Sequence, residues 1–189
     1  MRRSKVRALQ GPPGKSCLYA YFFLYLDIKM KEMNVWYLHG LESEQGGPKV
    51  DFLLKKATRV YAPKMDYNHS EMFSSLLKLA KYNKPDLIIG SSMGGYFADA
   101  LGSHLDVEVI LFNPALHSRV FEPEGVSYGE SNWKRNIVVG TEDKIIPPAM
   151  TKVLKGIVTT WTEIRGMGHR TSLNVFTDIY NKLILNEAI

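Results

Sequence analysis

Three side chains in this sequence have the types and the order to do nucleophilic chemistry: Ser92, Asp143 and His169. A serine hydroxyl is a weak nucleophile near neutral pH. It needs a base to take its proton, and the base needs a carboxylate to orient its ring and stabilise the imidazolium. Ser92 is the centre of Gly90-Ser91-Ser92-Met93-Gly94, a G-x-S-x-G pattern between an apolar run and a helical pattern. That pattern describes a strand reversing sharply into a helix with the nucleophile at the tip. Gly90 and Gly94 have a mechanical reason, because side chains there would strike neighbouring backbone. Three fixed positions in five arise by chance, so the strand-turn-helix context carries more weight than the pattern alone.

Asp143 and His169 each follow a later apolar run, and open parallel sheets place their sites beyond the carboxyl ends of such strands. Glu142 is a rival acid, but Gly140-x-x-Asp143-x-x-Ile146-Pro147 is the better-formed pattern. Among the other histidines, His104 lies in or just after the helix following Ser92, His117 in an irregular stretch and His39 in a strand-ending turn. His169 alone sits in a glycine-flanked loop that lets its ring swing toward the serine. Taken singly, Asp143 reads equally well as a helix cap and His169 as a surface-loop histidine; their joint order favours chemistry. A tetrahedral oxyanion would also need two preorganised N–H donors. Met93 opens the helix after Ser92 and is expected to supply one, aided by the helix dipole. Leu41, in the turn His39-Gly40-Leu41, is the expected second donor.

The elements that must hold these residues are strands alternating with helices. Runs at 35–39, 59–62, 86–89, 107–112, 136–140 and 159–164 read as six strands. Helical patterns are expected at Lys49–Thr58, at Ser70–Ala80 with Asn68 or Ser70 as cap, from Met93 to about His104, after Pro148 and from Leu173. Residues 116–135 are polar and irregular, the natural place for a small lid. Asp66 and His69 invite a metal reading, but no third ligand has a recognisable spacing, so a plain or cleft-lining loop is preferred. The alternation implies a mostly parallel sheet with helices on both faces.

The formal net charge of +5 is concentrated in residues 1–32, which hold seven basic and two acidic residues. The remaining 33–189, read as one domain, carry 17 of each sign, which gives no electrostatic case for nucleic-acid binding. With 45% hydrophobic and 23% charged residues the chain has an ordinary globular composition. One cysteine, Cys17, excludes an intramolecular disulfide and a cysteine zinc cage, and a cytoplasmic location is expected. Residues 1–32 form a basic, aromatic leader. It superficially resembles a signal peptide, but no small-x-small site follows and Asp27 interrupts an apolar run too short to cross a membrane. Gly14-Lys15-Ser16 lacks the earlier glycine of a phosphate loop, where Leu9 stands. The leader is read as an upstream extension, with the native start at Met30 or Met33.

Tyr37-Leu38-His39-Gly40, Gly90-Ser91-Ser92-Met93-Gly94-Gly95-Tyr96, Phe112-Asn113-Pro114-Ala115, Gly140-Thr141-Glu142-Asp143 and Gly168-His169 together resemble the YqiA-type (UPF0227) esterases. Those are small, nearly lidless α/β-hydrolases, and the resemblance runs from about residue 34 to the end of the chain. It implies a three-layer α/β-hydrolase fold with a sheet of about six strands and a minimal lid. It also implies hydrolysis of small-molecule carboxylic esters, short acyl chains favoured, by Ser92, Asp143 and His169. No cofactor, metal, nucleic acid or membrane is expected, and the oligomeric state is left open. The same three residues serve acyl transfer, thioester hydrolysis or amide hydrolysis equally well. A catalytically idle binding module is the alternative from another class, but it has no need of three correctly ordered residues. The compact stretch from Asn113 to Asn136 and the leader depart from the family pattern, which bears on acyl-chain preference and on localisation.

Overall fold

A computed structural model describes residues 32–117, 119–152 and 159–185. The expectations for the leader, Cys17 among them, lie outside the described residues apart from Glu32.

The sheet is built from parallel strands whose residues alternate between two buried faces. In β1 (Asn34–Leu38), Trp36 and Leu38 enter one hydrophobic cluster while Val35 and Tyr37 enter the other. The remaining strands are β2 (Arg59–Tyr61), β3 (Leu87–Ser91), β4 (Glu108–Phe112), β5 (Arg135–Gly140) and β6 (Thr160–Ile164). They pair in parallel in the order β2-β1-β3-β4-β5-β6. The order reverses direction at β1 and β3, the switch point where open α/β sheets form a crevice. Leu38 is in register with Gly90, and Ser91 with Phe112, so the ends of β1, β3 and β4 stand together.

One face is covered by α2 (Met72–Asn83) and α3 (Met93–Leu105), which add Phe73, Leu76, Phe97 and Leu101 to the cluster around Trp36. The other is covered by α1 (Pro48–Lys56) and α5 (Leu173–Tyr180), whose Val50, Leu53, Phe176 and Ile179 pack around Tyr37, Ile89 and Phe112. A short α4 (Pro148–Thr151) follows β5, and a π-helical turn, Asn181–Leu185, continues α5. The result is the three-layer α/β-hydrolase architecture. No helix among the described residues is long and apolar enough to cross a membrane.

One local expectation is corrected. Helix α2 begins two residues later than its apolar pattern suggests, with Glu71 at the cap position and no side-chain cap bond from Asn68 or Ser70. Asp66 accounts for the delay. Its carboxylate accepts the Asn68 N–H at 3.2 Å and its carbonyl accepts the His69 N–H at 3.2 Å, which winds an Asx-type turn ahead of the helix. His69 Nδ1 accepts the Glu71 N–H at 3.2 Å, so both would-be metal ligands spend their side chains on this turn.

The stretch 116–135 lies mostly along α3. The Gly129 N–H donates to Ser103 Oγ at 2.8 Å, and the Tyr128 hydroxyl and Trp133 Nε1 each donate to Asp99 at 3.0 Å. Arg135 completes this anchor, its Nε and Nη2 donating to the Asp99 carboxylate at 2.9 and 2.5 Å with both side chains buried. Among the described residues of the stretch, only Val120 reaches the cleft described below, so the lid is minimal.

Candidate active site

Strand β3 delivers Ser92 to the top of the sheet in a conformation that few residues adopt, with φ 53° and ψ −120°. Such backbone strain persists only where the surroundings over-determine it. Here the surroundings are close backbone crossings that two glycines allow. A Cβ on Gly94 would fall 2.5 Å from the His39 carbonyl oxygen, and one on Gly90 would fall 2.7 Å from Ala98 Cβ. The turn is pinned further by the Ser92 N–H donating to Phe112 O at 3.0 Å, while Ser92 O accepts from Ala115 N at 3.0 Å.

Ser92, His169 and Asp143 meet at this point. Ser92 Oγ lies 3.0 Å from His169 Nε2, across 77 residues of chain. His169 Nδ1 lies 2.8 Å from Asp143 Oδ2. A carboxylate can only accept, so Nδ1 carries the ring proton and Nε2 presents its lone pair to the serine hydroxyl. The other oxygen of Asp143 accepts the N–H groups of Ile145 and Ile146, each at 2.8 Å. The acid is thus also the cap of its own turn, and the two roles proposed for it coincide in one side chain. The Asp143 side chain is fully buried and that of His169 is 18% exposed, so the pair is shielded while the serine side stays open. Glu142 is exposed. His104 turns its Nε2 to Ser127, and His117 has neither ring nitrogen in a hydrogen bond among the described residues.

His39 is buried at the end of β1 and its tautomer follows from its neighbours. The Met65 N–H donates to His39 Nε2 at 3.2 Å, so Nδ1 carries the proton and donates to the Gly40 carbonyl at 2.8 Å. The Ser43 N–H donates to the same carbonyl at 3.1 Å, and the Tyr67 hydroxyl donates to the His39 carbonyl. The turn bearing Gly40 and Leu41 is therefore held from several sides. It also lies close to the serine: a Cβ on Gly40 would sit 3.2 Å from Ser92 Cβ. Met93 is the first residue of α3, whose first N–H groups have no partner within the helix.

Asn113 has a structural role that the sequence reading did not assign. Its side-chain amide donates to the carbonyls of Gly168 and His169 at 3.0 and 2.9 Å, and its Oδ1 accepts the Gly140 N–H at 2.8 Å. One buried side chain at the end of β4 thus ties the loop that carries His169 to the strand end preceding Asp143. Asn113 has φ 43°, a left-handed conformation that asparagine tolerates better than most residues. The Asn-Pro-Ala sequence was the available signal, but its partners stand 27 and 55 or more residues away.

The cleft over Ser92 has a volume of about 570 Å³ and is walled by the loop after β1 on one side and by residues 169–173 on the other. Leu41, Val120, Ile145 and Leu173 form an apolar rim. Of the eight exposed large apolar residues among the described ones, these four gather at the cleft, which makes the rim a local feature rather than scattered surface. No group of three or more candidate metal ligands occurs among the described residues.

Residues 34–124 match the model of an uncharacterised protein family, UPF0227. No curated protein matches the sequence. Among solved structures, a protein from Xanthomonas campestris assigned to the alpha/beta hydrolase superfamily aligns with a TM-score of 0.66 at 19% identity, covering 84% of this chain and 100% of its own. A monoacylglycerol lipase from Paleococcus ferrophilus aligns with a TM-score of 0.65 at 14% identity, covering 83% and 96%. Est1E from Butyrivibrio proteoclasticus aligns with a TM-score of 0.64 at 13% identity, covering 83% and 88%. At these identities the likeness is one of fold. The chain has the α/β-hydrolase fold, and its residues 34–124 are similar to the UPF0227 family.

Proposed function

We propose that this protein hydrolyses carboxylic esters through an acyl-enzyme intermediate on Ser92. The observation that carries the reading is the unbroken chain of hydrogen bonds from Asp143 through His169 to a hydroxyl at the tip of a strained turn. Ser92 Oγ attacks the ester carbonyl carbon as His169 Nε2 takes its proton, and the carbonyl electron pair moves onto oxygen. Collapse re-forms the carbonyl and breaks the bond to the leaving alcohol, which receives the proton from Nε2. Water then attacks the acyl-serine with the same base, releasing the acid and restoring the serine.

Met93 N–H and Leu41 N–H are assigned to the oxyanion. Met93 stands at the positive end of the α3 dipole. The carbonyl of the Gly40–Leu41 peptide is engaged by His39 and Ser43, so the trans N–H of Leu41 faces the opposite way. Losing one such donor typically weakens transition-state stabilisation by about 3 kcal/mol. The apolar rim suits the hydrocarbon part of an ester. With Val120 as the only contribution from the described residues of 116–135, little roof would shield a long chain, which favours short acyl groups.

Labelling with a fluorophosphonate probe, followed by hydrolysis of p-nitrophenyl acetate, butyrate and octanoate by the wild type and Ser92→Ala, tests the reading. The wild type is expected to label and to prefer the shorter esters. A wild type that does not label, or hydrolysis that survives Ser92→Ala, would defeat the mechanism.

A further inference from the structure

Among the described residues, four charged ones line the cleft over Ser92: Glu42, Glu44, Lys49 and Arg170. Glu42, Glu44 and Arg170 are exposed, and Arg170 lies 3.9 Å from Glu42, so those two offset each other at the mouth. Lys49 is different: it is half-buried.

Three features make a positive charge costly at Lys49. It stands in the first turn of α1, where the positive end of the helix dipole repels a cation. Burial pushes the pKa of its amine below the ordinary lysine range. Among the described residues no carboxylate lies within ion-pair distance of it. Asp51 shares the turn, but it is exposed and two positions along, where helical side chains do not face each other. The Lys49 ammonium does lie 5.6 Å from the centre of the Phe176 ring, a cation–π contact that offsets part of the penalty. An anion in the cleft would relieve all three disadvantages together.

We infer that Lys49 binds a carboxylate carried by the substrate, so that the preferred substrates are acidic esters. This rests on the esterase reading of the same cleft. The ammonium would pair with the carboxylate while the rim of Leu41, Val120, Ile145 and Leu173 takes the apolar remainder.

Two matched pairs of esters test this. Mono-4-nitrophenyl adipate and 4-nitrophenyl hexanoate differ only by a terminal carboxylate on the acyl chain. In the second pair, 3-butyryloxybenzoate and phenyl butyrate, the carboxylate is on the alcohol side. The readout is the ratio of kcat/KM, acidic over neutral, in the wild type, Lys49→Met and Lys49→Arg, with melting curves to establish folding. The wild type is expected to favour the acidic member of at least one pair by about tenfold, the size of a single well-placed ion pair. Lys49→Met should bring that ratio to about one, Lys49→Arg should keep it, and added salt should lower it in the wild type. Neutral-ester hydrolysis with no acidic preference in either pair overturns the inference and leaves the esterase reading standing. A preference that survives Lys49→Met, or ignores salt, also overturns it. Failure to hydrolyse any of the four esters sinks the esterase reading and the inference with it.

Discussion

Replacing Asn113 with alanine removes three hydrogen bonds at once, and the structure allows the consequence to be estimated. The Gly140 N–H is buried and loses its acceptor, which costs roughly 1–3 kcal/mol. The carbonyls of Gly168 and His169 are only part-buried, so water compensates in part and each loss is about 0.5–1.5 kcal/mol. Alanine also tolerates the φ of 43° less well than asparagine, adding about 1 kcal/mol. The total, roughly 3–7 kcal/mol, is a large share of a typical domain's stability of about 5–15 kcal/mol. The kinetic effect has a separate origin. His169 hangs from a loop whose backbone Asn113 holds, and misplacing a catalytic group by about 1 Å lowers rate by roughly a hundredfold. The kcat is therefore expected to fall about 10- to 100-fold with KM little changed. The measurements are thermal melting, steady-state kinetics on a neutral ester and the rate of fluorophosphonate labelling of the folded fraction. Asn113→Gly, which tolerates the left-handed backbone, isolates the hydrogen-bond component. A stability loss with labelling and kcat within twofold of wild type would make Asn113 structural only, and an unchanged melting temperature would refute the hydrogen-bond estimate as well.

Asp143→Asn keeps an oxygen to cap Ile145 and Ile146 but withdraws the carboxylate that fixes the His169 tautomer. It is expected to fold normally by circular dichroism while kcat drops by as much as about 10⁴. Gly94→Ala drives a methyl into the His39 carbonyl 2.5 Å away, and chemical denaturation should register a loss at the upper end of the roughly 1–3 kcal/mol range for overpacking. Arg135→Met strands the buried Asp99 carboxylate and should cost about 3–5 kcal/mol in the same assay. Asp99→Leu combined with Arg135→Met should be the milder change, because no unpaired charge remains buried.

The six strands are legible because each has a local signature: buried apolar runs bounded by glycine, proline or polar turns. The elbow is legible for the same reason, since Gly90 and Gly94 mark a turn too tight for side chains. Where two local signals compete, the sequence is ambiguous. The Ser70–Ala80 pattern and the Asp66 turn overlap in their claims on residues 68–71, and the hydrogen bonds of Asp66 delay the helix. The stretch 116–135 reads as a lid because it is irregular. Tyr128, Trp133 and Arg135 converge on Asp99, a buried acid in α3 whose partners nothing local could identify.

By itself, then, the sequence determined the alternating α/β order, the strained serine turn and the serine–acid–histidine sequence along the chain, all of which depend on neighbours within a few residues. Only the tertiary structure decided which side chains meet. It set His169 3.0 Å from Ser92 across 77 residues, made Asn113 a clamp on the loop carrying that histidine, and left Lys49 half-buried in the same cleft. The physical reason is that hydrogen bonds and charge burial are set by distance in space, which the strand order β2-β1-β3-β4-β5-β6 establishes and a residue's chain neighbours do not.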